Sequence, residues 1–93
     1  VNICNSGQGK LAWDFANSNV DKNELIHSLP HTITDSGTPL LDGCLASMEC
    51  KITEMYDGGD HTIFVGQVED GNFDENSDPL IYYGSGLGEF KPN

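Results

Sequence analysis

Apolar and polar residues alternate in the middle of the chain and predict a β-hairpin. Within residues 43–55, every second residue from Cys44 to Ile52 is apolar, and most of the residues between them are polar. This period of two is typical of a strand. Residues 56–59 supply a glycine-containing turn, and residues 60–69 are rich in Thr, Ile, Phe and Val. We therefore predict two strands that pair antiparallel.

The first part of the chain predicts short helices between irregular segments. Residues 1–4 resemble the end of a strand, and residues 8–17 predict a helix because their apolar residues recur about one turn apart. Residues 21–29 have room for one or two helical turns, which Pro30 would close. Residues 31–42 contain a cluster of turn formers, so we predict a loop followed by a strand.

The last part of the chain adds one more strand. Residues 70–78 predict an acidic loop, residues 79–83 a short strand and residues 84–93 a flexible end. Both faces of the strand over residues 60–69 carry apolar side chains, which suits a barrel wall that is covered from outside. The predicted class is mostly β with short helices. The strands are too few for a closed barrel, so we expect part of a larger domain.

The negative charge of the chain disfavours nucleic acids and anionic membranes as partners. The 93 residues carry 15 acidic and 4 basic side chains, a formal net charge of −11, and no arginine. Such a chain is repelled by phosphate backbones and anionic lipid, so we expect no nucleic-acid partner and no membrane partner. No apolar run approaches the roughly 20 residues that cross a bilayer.

The start of the chain and its cysteines bear on its origin. Val1 is preceded by no initiator Met, and no signal peptide follows it, so we expect a fragment. Cys4, Cys44 and Cys50 are odd in number and lack C-x-x-C spacing, which disfavours a disulfide framework and a structural zinc site. Free thiols indicate a reducing cytoplasm.

Three segments partly match ligand-binding motifs, but each lacks residues that the motif requires. Residues 7–10 lack both the upstream glycine and the hydroxyl residue of a phosphate-binding loop. Residues 70–81 place oxygen ligands at the first positions of a calcium loop but lack its central glycine and final glutamate. His27 and His31 have the spacing of metal ligands on a helix, but Pro30 lies between them and no nearby Glu completes the set. We therefore predict no metal site.

Asp60 and His61 carry the clearest chemical signal. A histidine at the start of a strand, with a carboxylate beside it, can be held in one tautomer and one orientation. The alternative is a polar residue at the rim of a barrel. No serine or cysteine motif suggests a nucleophile.

The order of several motifs resembles the flavin reductase-like domain, an FMN-binding split β-barrel. Gly-Asp-His before an apolar strand, followed by Pro-Leu-x-Tyr after a loop, is specific in combination, and the resemblance spans nearly the whole chain. It is carried by Val1 to Ile3, Gln8, Leu11, Ala12, Phe15, Ala16, Asp21, Lys22, Pro39 to Leu41, Cys50, Gly59 to Gly66 and Asp78 to Tyr83.

The resemblance implies a cytoplasmic homodimeric reductase that passes hydride from NADH or NADPH to FMN or FAD. Reduced flavin would then reach a partner flavin-dependent monooxygenase. Residues 1–93 would form the C-terminal part of a single domain whose N-terminal strands are missing, so the chain alone is expected to be inactive and to bind FMN weakly. Two alternatives stay open: a non-catalytic FMN-binding flavoprotein, and an acidic interaction module.

Matching positions imply the site. His61 would lie where flavin and nicotinamide meet, and Asp60 would fix its approach. The positions expected near the flavin or its phosphate are Phe15, Ala16, Asn17 and Lys22. Asn23 replaces a Phe that is usual in the family, and residues 84–88 lack a basic residue that is often present. The absence of arginine puts selection of NADPH in doubt.

Overall fold

Two short helices and seven strands make up the chain. The structure is a computed structural model that describes residues 1–93. The strands form one three-stranded sheet, of order β1-β4-β5, and two separate hairpins, β2-β3 and β6-β7. In chain order the elements are β1 Asn2–Ile3, α1 Gly9–Ala16, α2 Lys22–Ser28, β2 His31–Ile33, β3 Pro39–Leu41, β4 Ala46–Asp57, β5 Thr62–Phe73, β6 Leu80–Tyr83 and β7 Gly86–Glu89.

The predicted central hairpin is confirmed and is longer than expected. β4 and β5 pair antiparallel from Ala46 opposite Phe73 to Asp57 opposite Thr62. The turn is residues 58–61, two positions later than the predicted 56–59, so Asp60 and His61 belong to the turn and not to the strand. The first residues of the expected acidic loop, 70–73, belong to β5, so the first four of the twelve positions of the calcium-loop pattern lie in an extended strand. The backbone of residues 70–73 pairs there with that of residues 46–49 in β4.

Both predicted helices are present. α1 lacks a side-chain hydrogen bond at its N-cap, whereas Asp21 caps α2 by accepting from the backbone N–H groups of Asn23 and Glu24 at 3.0 and 3.1 Å. Pro30 follows two residues after the end of α2, as expected of a residue that cannot continue a helix.

Two short hairpins correct the sequence prediction. Residues 31–33 form β2, which pairs with β3, where a loop was expected. The flexible end expected over residues 84–93 is also wrong in part, because β7 pairs with β6. Gly84 and Ser85 both have positive φ, at 59° and 65°, which is the backbone of a tight hairpin turn. Gly-Ser between two strands is a two-residue hairpin signal, which the prediction of a flexible end overlooked.

The core lies where β1, β3 and β4 meet. Ser47 is 1% exposed, and its hydroxyl lies 2.8 Å from Oδ1 of Asn2 and 3.2 Å from the carbonyl oxygen of Leu41. The other buried residues are Leu40, Leu41 and Cys44. The sequence pattern placed Ser47 on the polar face, but in the structure that side chain is covered by Asn2 and Leu41. Neither helix is long and apolar enough to cross a bilayer.

Candidate functional site

Asp60 and His61 lie together at the tip of the β4–β5 hairpin. Nδ1 of His61 is 2.8 Å from Oδ1 of Asp60. The histidine side chain is 67% exposed, and that of Asp60 is fully exposed. Because an ionised carboxylate only accepts hydrogen bonds, Nδ1 carries the proton and the lone pair of neutral His61 is on Nε2. The expected orientation of the histidine by the aspartate is therefore present, in a site open to water.

Two glycines shape the turn that presents this pair. The backbone N–H of Gly58 donates to the carbonyl of His61 at 2.9 Å, and that of Gly59 donates to the Asp57 carboxylate at 3.1 Å. Gly59 has φ of 80°, which favours glycine. A Cβ on Gly58 would lie 2.9 Å from Cδ2 and Nε2 of His61. The imidazole thus occupies space that only a glycine at position 58 leaves free.

Lys22 and Asn17 lie at the connection between the helices. The ammonium of Lys22 donates to the carbonyl oxygens of Asn17 and Val20, at 2.5 and 2.9 Å. Two of its three protons are therefore used to hold the connection together. The Asn17 side chain accepts from the backbone of Asn19 at 3.0 Å, which leaves its amide NH₂ group without a partner in the protein.

Phe15 and Ala16 differ in their surroundings. Ala16 is exposed at the end of α1, whereas Phe15 is half-buried and lines a cavity of about 240 Å³ between α1 and the core. The lining residues of this cavity are Asn2, Cys4, Leu11, Ala12, Phe15 and Leu41. Burial raises the pKa of the Cys4 thiol, and the nearby Cys44 raises it further. Phe15 thus points from α1 toward the strands and packs against the core side of the helix.

The expected site residues form two groups that no hydrogen bond or ion pair joins. The first group is at the hairpin tip, and the second is at the α1–α2 connection. The bonds of Lys22 go to carbonyls within five residues of it, and the polar contacts of His61 stay within its own turn. The structure thus confirms the local pairing of His61 with Asp60 but does not bring these residues into contact with Lys22.

A groove along β4 and β5 was missed by sequence reasoning. Its volume is about 500 Å³, within the usual range of ligand pockets. The apolar side chains that line it are Val1, Met48, Cys50, Ile52, Phe64 and Val68. The signal was present in the apolar residues at every second position of both strands. What the sequence did not reveal is that this face lies open, with Ile52, Phe64 and Val68 each more than half exposed.

Glu49 forms a second polar cluster that was missed. The hydroxyls of Thr34 and Ser36 donate to its two carboxylate oxygens, at 2.9 and 2.8 Å. Hydrogen bonds from Thr38, Ser36 and Thr34, in that order of importance, lower the pKa of Glu49. These bonds tie the β2–β3 turn to β4. Because these hydrogen bonds stabilise the ionised carboxylate of Glu49, the cluster suits a structural role better than a role in proton transfer.

The chain is similar to flavin reductases over nearly its full length. It is 41% identical over 90 residues to an NADH-dependent FMN reductase of Agrobacterium fabrum, with 97% of this chain and 49% of that protein covered. It is 32% identical over 94 residues to the reductase component of a 4-nitrophenol monooxygenase of Rhodococcus opacus, with 99% and 47% covered. The chain spans about half the length of the curated relatives it matches.

A solved structure agrees with the sequence comparisons. The NADH:FAD oxidoreductase of Streptomyces globisporus, in complex with NAD and FAD fragments, superposes with a TM-score of 0.84 at 31% identity, over 99% of this chain and 55% of that one. The mostly β split-barrel class that was expected is thereby confirmed. The sequence profile of the flavin reductase like domain matches residues 1–91. The chain therefore belongs to the flavin reductase like domain family.

Proposed function

We propose that the protein acts in NAD(P)H-dependent flavin reduction, with hydride passing from a nicotinamide to FMN or FAD. The observation that carries this proposal is the agreement of relatives aligned over nearly the whole chain, which are named as FMN reductase and as the reductase component of a monooxygenase. Residues 1–93 would be the C-terminal part of one flavin reductase-like domain. NADH is the nicotinamide named for the first relative.

The donor groups present fit such a cofactor in their chemistry. A flavin nucleotide carries a phosphate and ring oxygens, which need N–H donors or cations. Lys22 retains one ammonium proton after its two carbonyl bonds, and the Asn17 amide is unpaired within the protein. Lys22 is also one of only four basic residues in a chain of net charge −11. We assign phosphate or flavin contacts to this connection, with Ala16 contributing exposed apolar surface and Phe15 packing inward to support the end of α1.

His61 is assigned to the place where nicotinamide and flavin meet. When bound, the flavin supplies the chemistry of hydride acceptance, and the protein supplies position and charge. Asp60 holds Nδ1–H, so Nε2 of His61 is an acceptor when the ring is neutral and a donor when the ring is protonated. A hydrogen-bond donor at this position would hold the amide group of the nicotinamide. It would also offset the negative charge that the flavin gains with the hydride. Asp60 acts through His61 and is a positioning residue.

The wider setting is also a proposal. The relative that is named as a monooxygenase reductase component suggests that reduced flavin passes to a flavin-dependent monooxygenase. We expect a homodimer in the cytoplasm, as the family resemblance implies. The charge of −11 opposes binding to nucleic acid or to anionic membranes.

The test is NADH or NADPH oxidation by the protein together with the rest of its natural domain, with and without added FMN or FAD. Flavin-dependent oxidation supports the proposal. Flavin that stays bound without nicotinamide turnover selects the non-catalytic flavoprotein instead, and an absence of flavin binding selects the interaction module. His61→Ala should slow flavin reduction more than it weakens flavin binding, whereas His61→Gln should restore part of the rate if a hydrogen bond is what matters.

A further inference from the structure

The structure brings together two histidines that Pro30 separates in the sequence. His27 lies in the last turn of α2 and His31 begins β2, with Pro30 between them. Their ring centroids are 5.4 Å apart, and the ring planes meet at 78°. The proline ends the helix but directs the chain back beside it, so the two imidazoles remain neighbours.

Backbone hydrogen bonds set the same tautomer in both neutral rings. Nδ1 of His27 is 2.8 Å from the carbonyl oxygen of Asn23, and Nδ1 of His31 is 2.6 Å from that of Leu29. A carbonyl oxygen only accepts, so each Nδ1 carries the proton and each Nε2 keeps its lone pair. Donation of one ring N–H to a carbonyl while the other nitrogen binds the ion is the usual arrangement of metal-ligating histidines.

The separation of the rings suits a shared ion. With a metal–nitrogen bond of about 2.0 Å, an imidazole centroid lies about 3.2 Å from the ion, so two rings at a tetrahedral angle have centroids about 5.2 Å apart. The observed separation is 5.4 Å.

We propose that His27 and His31 together bind one divalent transition-metal ion through their Nε2 atoms. Imidazole ligands favour Ni²⁺, Cu²⁺ and Zn²⁺ over Mg²⁺ and Ca²⁺. The structure groups no third His, Cys, Asp or Glu with them, so water completes the coordination and the site is a two-ligand one of modest affinity. The net charge of −11 attracts a cation to it. The ion would link the end of α2 to β2.

Titration of the purified protein with Ni²⁺, followed by calorimetry and by the imidazole NMR signals, tests this site. We expect one Ni²⁺ per chain, with shifts or broadening at His27 and His31. His27→Ala and His31→Ala should each raise the Kd by about tenfold or more, because each removes one of two ligands. His61→Ala is the matched control, since it removes a histidine that lies elsewhere, and it should leave the Kd within about twofold.

The alternatives give distinct results. Since His27 is exposed, His27→Gln should keep the fold, which the melting temperature without metal verifies. An unchanged Kd in both His27→Gln and His31→Ala overturns the proposal, as does an equal loss in His61→Ala. Absence of Ni²⁺ binding at millimolar concentration also overturns it. These readouts need no flavin or nicotinamide and are independent of the proposed reductase function.

Discussion

Gly58→Ala should displace the His61 imidazole without changing its chemistry. The new Cβ would lie 2.9 Å from Cδ2 and Nε2 of that ring, whereas ordinary contact begins at 3.4 Å. The ring must therefore move by about 0.5 Å, and the carbonyl of His61, at 3.1 Å from the same Cβ, must also give slightly. Gly58 does not have positive φ, so alanine is compatible with its backbone.

The size of the effect follows from this displacement. A misplacement of about 1 Å at a reacting centre can cost about 10²-fold in rate, so half of that distance predicts roughly a tenfold loss in kcat/KM for NADH oxidation. This corresponds to about 1.4 kcal/mol of transition-state stabilisation. Flavin affinity should change much less, because the assigned flavin contacts are at the α1–α2 connection.

The assay combines kinetics of flavin-dependent NADH oxidation with the NMR signals of the His61 ring. Gly88→Ala is the matched control, since its Cβ would meet no atom within 4 Å and it lies in β7. Two results would refute the reasoning: a shifted His61 ring with an unchanged rate, or a loss in Gly88→Ala as large as that in Gly58→Ala.

Three further predictions concern stability and cofactor affinity. Ser47→Ala should lower the free energy of unfolding by about 1 kcal/mol in chemical denaturation, because it removes the buried hydroxyl that donates to Asn2. An unchanged free energy of unfolding would contradict this role. Hydrogen bonds in the folded protein lower the pKa of Glu49, so ionised Glu49 stabilises the fold at pH values above its ordinary pKa of 4.5. This contribution to the free energy of unfolding is lost as the pH falls through the lower pKa of the folded state. Glu49→Gln should therefore flatten the decrease in melting temperature below about pH 4.5, and an unaltered profile would argue against it. Lys22→Ala should weaken FMN binding, measured by flavin fluorescence, by about tenfold, whereas Lys91→Ala at the exposed end should not, and equal effects would point to net charge alone.

Local patterns were enough to predict the hairpin and the helices. The alternation from Cys44 to Ile52 and the two glycines at positions 58 and 59 predict β4, a turn and β5, because the period of two and the turn preference of glycine are properties of neighbouring residues. The capping of α2 by Asp21 and its termination before Pro30 also depend only on residues close in sequence. The pairing of Asp60 with His61 needed only adjacent residues, and the structure contains it.

Long-range contacts decided the rest. The burial of Ser47 depends on Asn2, 45 residues away, and on Leu41 in β3. The separation of the Lys22 connection from the hairpin tip, the open apolar groove and the approach of His27 to His31 around Pro30 also depend on how the chain folds back. The sequence by itself determined the class of fold, the acidic surface and the residues able to do chemistry. Only the tertiary structure decided which of them meet, because side-chain contact between distant positions depends on the register and packing of whole elements.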